Sequence, residues 1–449
     1  SLREVIGDGV INQKKLNKGN FGQLVEKHYF FKDLDSASQP DFLQAELELK
    51  TSSLRRLKKK GQLRAKERLS LNIINYEKLI EEDFITSSVY TKNKSMLLIF
   101  SLDDGKTPVL DRIIKLVGIW SFPAADLKVI ERDWQFIKNK VIDGEAHTLS
   151  EGDTLYLGAA RKGGKTSKPR PQPNSSILVN QRAFSLKPGY VNHILAKISG
   201  INDGSFGQIA TEIDLEEKGY DIEQIVLDKF LPFYGRTPIE IAKTLNVTYN
   251  NVNKQMFSSL TKAILGVSSK QDVEEFSKAE ITVRTVRINK TNLPCESTSF
   301  PAFVYEELVK EDSWELSKFN ELLEKRFLFV FFKSNENCKK TKGENLFLDK
   351  VLFWNMPYID REEAKLVWEN TKKIIADGRI VKEVKPKRRE TYFPKSGENR
   401  VAHVRPHATT TKEVYPLPTP DKLTKVTSYT RHSFWLNNTY IRDSIYLNS

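Results

Sequence analysis

The chain has 449 residues, with 71 Lys and Arg against 58 Asp and Glu and a formal net charge of +13. Its 39% hydrophobic and 10% aromatic content excludes a disordered chain, and its length suits two or three domains. The longest apolar runs, such as residues 96–100 and 327–332, are strand-sized, so no membrane span or signal peptide is expected, and the clustered basic excess points to a polyanionic partner.

Residues 19–50 (GNFGQLVEKHYFFKDLDSASQPDFLQAELELK) hold three carboxylates and a lysine at spacings suited to metal-assisted phosphodiester cleavage. Glu26 follows the apolar pair Leu24 and Val25 on a predicted helix. Asp41 comes directly after Pro40, and Glu48-Leu49-Lys50 follows shortly. Residues 45–51 alternate apolar and charged side chains, the pattern of a half-buried strand. Glu48 and Lys50 then share one face, while Leu47 and Leu49 turn to the core. Asp41 and Glu48 can together hold a divalent cation such as Mg2+, which takes hard oxygen ligands. Lys50 can orient the attacking water and help deprotonate it. The spacing alone also suits a solvated strand face with an ion pair. The Pro-Asp step, the strand-borne lysine and the upstream Glu26 favour the nuclease reading.

GNFGQLVE followed by QPDFLQAELELKT resembles the MutH family. That family contains a mismatch-repair strand nuclease and the Sau-type GATC restriction endonucleases, and has the PD-(D/E)xK nuclease fold. The runs KERLSLNIINYEKL and SSVYTKNKSMLLIF look like the restriction-enzyme branch. The resemblance implies that Asp41 and Glu48 are metal ligands, Glu26 the supporting acid and Lys50 the catalytic lysine. It also makes Lys92 a second active-site lysine.

Residues 52–69 are a basic run (Arg55, Arg56, Lys58, Lys59, Lys60, Arg64, Lys66, Arg68) against the single acid Glu67. Beside a nuclease strand, such a run is expected to track a DNA backbone, as a helix or hairpin anchored on one side. Residues 70–79 read as a helix, 95–102 as a buried strand, 134–144 as a helix stopped by glycine, and 154–160 as a strand. The next residues, RKGGKT, mimic a phosphate-binding loop, but the required first glycine is Ala159. Pro169, Pro171 and Pro173 also forbid the helix that such a loop opens. Nucleotide hydrolysis is therefore rejected, and Arg161, Lys162 and Lys165 are read as DNA contacts. In the family, the matching strand ends in an arginine that touches the target, which falls here at Ala160 or Arg161. A tyrosine that senses adenine methylation in the repair branch is replaced by Ser185, as expected of a restriction enzyme.

Residues 199–219 read as a linker, and Thr237-Pro238-Ile239-Glu240 as a capping box opening a stretch that resembles a helix-turn-helix. Beyond it the chain repeats. ITVRTVRI echoes LELKTSSL, WENTKKIIADG echoes WQFIKNKVIDG, and HVRPH and SFWLNNTYI stand where YLGAARK and AFSLKPGYV stood. The same interval separates Lys50 from Trp134 and Arg284 from Trp368. Arg284 replaces Lys50, Thr282 replaces Glu48 and Glu275 replaces Asp41, so the second copy lacks a hydrolytic site. Its basic residues (Lys382, Lys385, Lys387, Arg388, Arg389) and Arg405 can still hold DNA. His403 and His407 are expected to face solvent or DNA rather than a metal. Cys295 and Cys338 are expected as free thiols in a reducing cytoplasm.

The expected fold is α/β (α+β): two tandem MutH-like domains, each a mixed central sheet flanked by helices. Residues 1–199 form the catalytic domain, 200–220 a linker, and 221–449 a DNA-binding, allosteric domain. The expected partner is double-stranded DNA, and the chain is a monomer acting as a pseudo-dimer, with DNA-induced dimerisation or looping left open. The alternatives are a mismatch-repair nickase and a non-catalytic DNA-binding regulator.

Overall fold

Two apolar runs, SMLLIFSL and FLFVFFK, each become the middle strand of a sheet. The computed structural model describes residues 1–6, 20–32, 39–57, 62–162, 168–200, 204–250, 255–337, 343–386, 388–410 and 412–448. They form two compact units, one of Ser1–Ile225 with Gly266–Glu280, the other of Val226–Leu265 with Ile281–Ser449. Among the described residues, no helix is long and apolar enough to cross a membrane.

After a short helix at Leu2–Ile6, the first unit has α1 (Asn20–His28), then β1 (Glu48–Arg56), β2 (Leu63–Ala65) and β3 (Leu69–Ile73). Next come α2 (Ser88–Asn93), β4 (Ser95–Leu102), β5 (Ile114–Ser121) and α3 (Ala124–Ile142). The order β2-β1-β4-β5 pairs β1 with β4 in parallel and the outer strands antiparallel. β4 buries Met96, Leu98, Ile99 and Phe100, as a central strand must. Pro123 starts α3, and Gly144, at φ +70°, follows its end as the sequence predicts. A second, antiparallel sheet has the order β3-β7-β6, formed with β6 (Leu157–Arg161) and β7 (Arg182–Leu186). Asp133 of α3 ties it on, accepting the backbone N–H groups of Leu155, Tyr156 and Leu157 at 2.8, 2.6 and 2.8 Å. Burial pushes the Asp133 carboxyl up to about 6 despite these bonds. α4 (Pro188–Ile198) and α5 (Glu274–Ala279) complete the unit.

The second unit repeats the plan. β8 (Thr282–Ile288) pairs in parallel with β9 (Phe327–Lys333), which pairs antiparallel with β10 (Phe347–Trp354). α6 (Tyr358–Ala376) follows, again started by a proline, Pro357, and followed by a glycine, Gly378, at φ +62°. β11 (Ala402–Pro406) and β12 (His432–Leu436) form an antiparallel sheet with Thr298–Ser299. The repetition reaches single side chains. Glu46 and Glu280 both take left-handed backbone just before β1 and β8. Buried Tyr190 donates to Asp126 at 2.9 Å, and buried Tyr440 donates to Asp360 at 2.7 Å. Trp134 and Trp368 are buried one face along the same helices.

Several expectations change. Residues 70–79 are not one helix: Leu69–Ile73 is a strand, and only Tyr76–Leu79 is helical, capped by the Asn75 side chain. Pairing with β7 on alternate residues outweighs local helix propensity there. The strand expected from residue 45 begins at Glu48, because Leu43–Ala45 is a 3-10 turn closed by Glu46. The strand expected over 154–160 runs instead from Leu157 to Arg161. The capping box at Thr237 forms and opens the helix Pro238–Thr244, while residues 251–254, between it and Met256–Ile264, lie outside the described residues. Cys295 is disulfide-bonded rather than free, and Cys338 lies outside the described residues.

Candidate active site

The site sits where β1 leaves its entry turn. Phe42 bridges Leu47, and Glu46 at φ 52° reverses the chain between them. This folds Asp41 back on the strand. Its Oδ2 accepts the Leu49 N–H at 3.0 Å, and its own N–H donates to Glu48 Oε2 at 3.2 Å. The D-x6-E spacing is thus the span of one closed turn. Glu48 Oε1 receives Lys50 Nζ at 2.7 Å, and Lys50 also donates to the Leu71 carbonyl at 3.2 Å. Since β1 and β4 are parallel, the helix that enters β4 lies beside the start of β1. That brings Lys92 of α2 to 3.5 Å from the same Glu48 oxygen. Glu26 arrives on α1, which buries Phe21, Leu24 and Val25 against Leu49 and Ile99. Gly22, one turn before Glu26, permits that approach: a Cβ there would stand 3.0 Å from Thr51 Oγ1.

The electrostatics separate the acids. Burial raises the Glu48 carboxyl above the usual carboxylate range, although Lys50 and Lys92 favour its charged form. Burial, then the Asp41 charge, raises Glu26 as well. Asp41 moves the other way: burial alone would raise it, but Lys32 at 2.7 Å and the Leu49 N–H hold it below the usual range. Among the described residues, no three His, Cys, Asp or Glu side chains form a metal cluster. Asp41 and Glu48 nevertheless make a hard-oxygen pair in a neighbourhood whose carboxylates disfavour one another's charge, which suits a divalent cation.

The DNA candidates are dispersed. Arg161 ends β6 opposite Arg182, and Lys162 follows, its N–H on the Gln181 carbonyl at 2.7 Å. Partial desolvation lowers the Lys162 ammonium; the Glu67 charge opposes this, and the cations of Arg68 and Lys50 add to it. Lys165 and the GGKT run lie outside the described residues, as do Lys58, Lys59 and Lys60. The remaining basic run forms the β1–β2 hairpin, with Arg55 opposite Arg64. Lys66 and Arg68 are ion-paired, with Asp103 at 2.6 Å and with Glu151, so they serve the fold as well as charge. Ser185 is buried within β7, between Gly158 and Ser70.

In the second unit, Arg284 is half-buried, and Leu322 stands where Lys92 stood, counting from the matching helix caps Ser87 and Ser317. Glu275 accepts the N–H groups of Ile209 and Ala210, bonds internal to the first unit. Arg405 is exposed on β11 and stacks over Trp435 at 4.8 Å; Trp435 fills the register position of Ser185. Arg388 opens the strand Arg388–Thr391, paired with Val381–Lys385, while Lys387 lies outside the described residues. His403 is buried, with Asn437 bonded at 2.6 Å, rather than facing solvent or DNA, although it shares a strand face with exposed Arg405. His407 remains exposed.

Comparison with known proteins completes the picture. Residues 30–133 match the family model of the DNA mismatch repair enzyme MutH. Type II restriction enzyme Sau3AI of Staphylococcus aureus is 34% identical over 99% of this chain and 96% of its own length. The chain belongs to the MutH-like, Sau-type restriction endonuclease family. DNA mismatch repair protein MutH of Shewanella woodyi is 28% identical over 42% of the chain and 80% of its own length. This membership assigns the PD-(D/E)xK nuclease fold. The sequence missed Lys32, whose neighbours in HYFFKDLD give no periodic signal.

Proposed function

We propose that this chain is a type II restriction endonuclease that hydrolyses both strands of DNA at GATC, using Mg2+ held by Asp41 and Glu48. The observation that carries this reading is the gathering of Lys50 and Lys92 on one Glu48 oxygen beside Asp41, in a chain of the Sau-type family. When bound, the cation would supply Lewis-acid charge to the scissile phosphate and acidify a water. The chain's residues do the rest. Asp41 is kept ionised by Lys32 and the Leu49 N–H. Lys50 has two of its N–H donors fixed by Glu48 and the Leu71 carbonyl, leaving the third for the attacking water or a phosphate oxygen. Lys92 shares the neutralisation of Glu48, and Glu26 supplies a further carboxylate close by. Arg161, Lys162 and Lys165 follow the DNA past the catalytic strand.

The second unit, without these acids, binds a second GATC site and promotes cleavage at the first, through Arg405 with Trp435 and the basic hairpin at Arg388. The test is digestion of plasmids with one or several GATC sites, adenine-methylated or not, with Mg2+ or EDTA. The expected result is Mg2+-dependent fragments ending at GATC, indifferent to adenine methylation and formed faster from multi-site plasmids. Nicking of unmethylated strands alone would assign a repair nickase instead, and binding without cutting a regulator.

A pH prediction follows from the acids. Glu48 and Glu26 are raised, so on acidification they lose charge first, while Asp41 is still ionised. Cation affinity of the free protein should start to fall at a pH above the ordinary carboxylate range, where Asp41 still keeps its charge. Mn2+ titration by electron paramagnetic resonance measures this, and an affinity that stays flat until that range is reached would contradict it.

A further inference from the structure

After α1 the chain reverses through Phe31, whose φ of 53° is uncommon for a bulky residue. The N–H groups of Tyr29 and Phe30 both donate to the Val25 carbonyl, and that of Lys32 donates to the Glu26 carbonyl at 3.0 Å. Phe31 is 86% exposed, so burial of its ring does not offset this backbone cost. What the reversal achieves is the placement of Lys32, with Nζ 2.7 Å from Asp41 Oδ1 and its charge acting on Glu26. Asp41 Oδ2 is already engaged by the Leu49 N–H, so Lys32 holds the oxygen best able to meet an incoming ion.

We propose that Lys32 is a built-in counter-ion that occupies the acidic cluster of the metal-free protein and competes with the divalent cation for Asp41. This rests on the reading of Asp41 and Glu48 as the cation site. An ammonium and a divalent ion seek the same lone pairs and repel each other, so one must leave for the other to enter. Lys50 differs from Lys32 in bonding to Glu48 rather than Asp41. Lys32 is therefore a positioning residue. It holds Asp41 ready and sets how much cation the protein needs, without touching the reacting atoms.

The experiment measures Mn2+ binding to the full chain without DNA, by electron paramagnetic resonance, together with the melting temperature in EDTA and in Mn2+. The proteins are the wild type, Lys32→Met, Lys32→Arg and Asp41→Asn. Lys32→Met should bind Mn2+ about tenfold more tightly, since it removes one like charge a few ångströms from the ion. It should also melt lower in EDTA and gain more on adding Mn2+, whereas Lys32→Arg should follow the wild type. Unchanged or weaker binding by Lys32→Met, with binding lost in Asp41→Asn, overturns the competition and leaves the cation site standing. Absence of saturable binding in every variant overturns both. Should Lys32→Met not fold without metal, Lys32→Gln carries the same comparison.

Discussion

Lys50→Ala is expected to slow single-turnover cleavage of GATC-containing DNA by about a thousandfold or more, the scale of losing a preorganised charge at the reacting centre. DNA binding in EDTA should stay within a few-fold, because affinity comes mainly from phosphate contacts spread over the surface. Two effects combine at the site. The donor aimed at water or phosphate disappears, and Glu48 loses the cation that most favours its charged form, so its carboxyl rises further. Lys50→Arg should not rescue. A planar guanidinium keeps its proton near neutral pH and presents its donors in a fixed fork, unlike the ammonium that bonds Glu48 and the Leu71 carbonyl. The second unit carries this replacement naturally at Arg284, in company with Thr282 and Leu322. A gel-shift assay beside a quenched-flow rate separates binding from chemistry, and near-normal cutting by Lys50→Ala would remove Lys50 from the site.

The gathering of Asp41, Glu48 and Lys50 was legible because it is local: one turn and one strand face join them, and the Pro-Asp step and upstream Glu26 added what spacing alone left open. The similar order of elements in the two units was legible for a related reason: the matching helices and strand ends keep their sequence intervals. What was hidden depends on partners distant in sequence. Residues 70–79 have a fair helical pattern, and only pairing with β7 makes half of them a strand. Lys66 and Arg68 look like free positive charge until Asp103 and Glu151 are folded beside them. His403 looks exposed beside Arg405 and Pro406, yet Asn437, distant in sequence, bonds to it in the fold. α5 precedes the first strand of the second copy but packs in the first unit, which no composition shift announces.

The repeated Asp–Tyr pair gives a paired stability prediction. Asp126→Ala should cost the first unit about 3–5 kcal/mol, the usual penalty for stranding one partner of a buried ion pair. Lys278 donates to both Asp126 oxygens, at 3.0 and 3.3 Å, and its side chain is only 10% exposed. Without Asp126 the ammonium keeps Glu274, 3.2 Å away, but cannot turn to solvent, and Tyr190 loses its acceptor inside the core. Asp360→Ala removes the same kind of tyrosine acceptor in the second unit. Its cation, however, is Arg400, with a side chain 53% exposed that can rehydrate at once. There the loss reduces to one buried hydroxyl without a partner, about 1–3 kcal/mol. Urea unfolding followed by tryptophan fluorescence can resolve the two, since Trp134 and Trp368 report from the corresponding helices. Equal losses, or a larger one for Asp360→Ala, would mean that the buried lysine is not what makes the first copy of this pair the more demanding one.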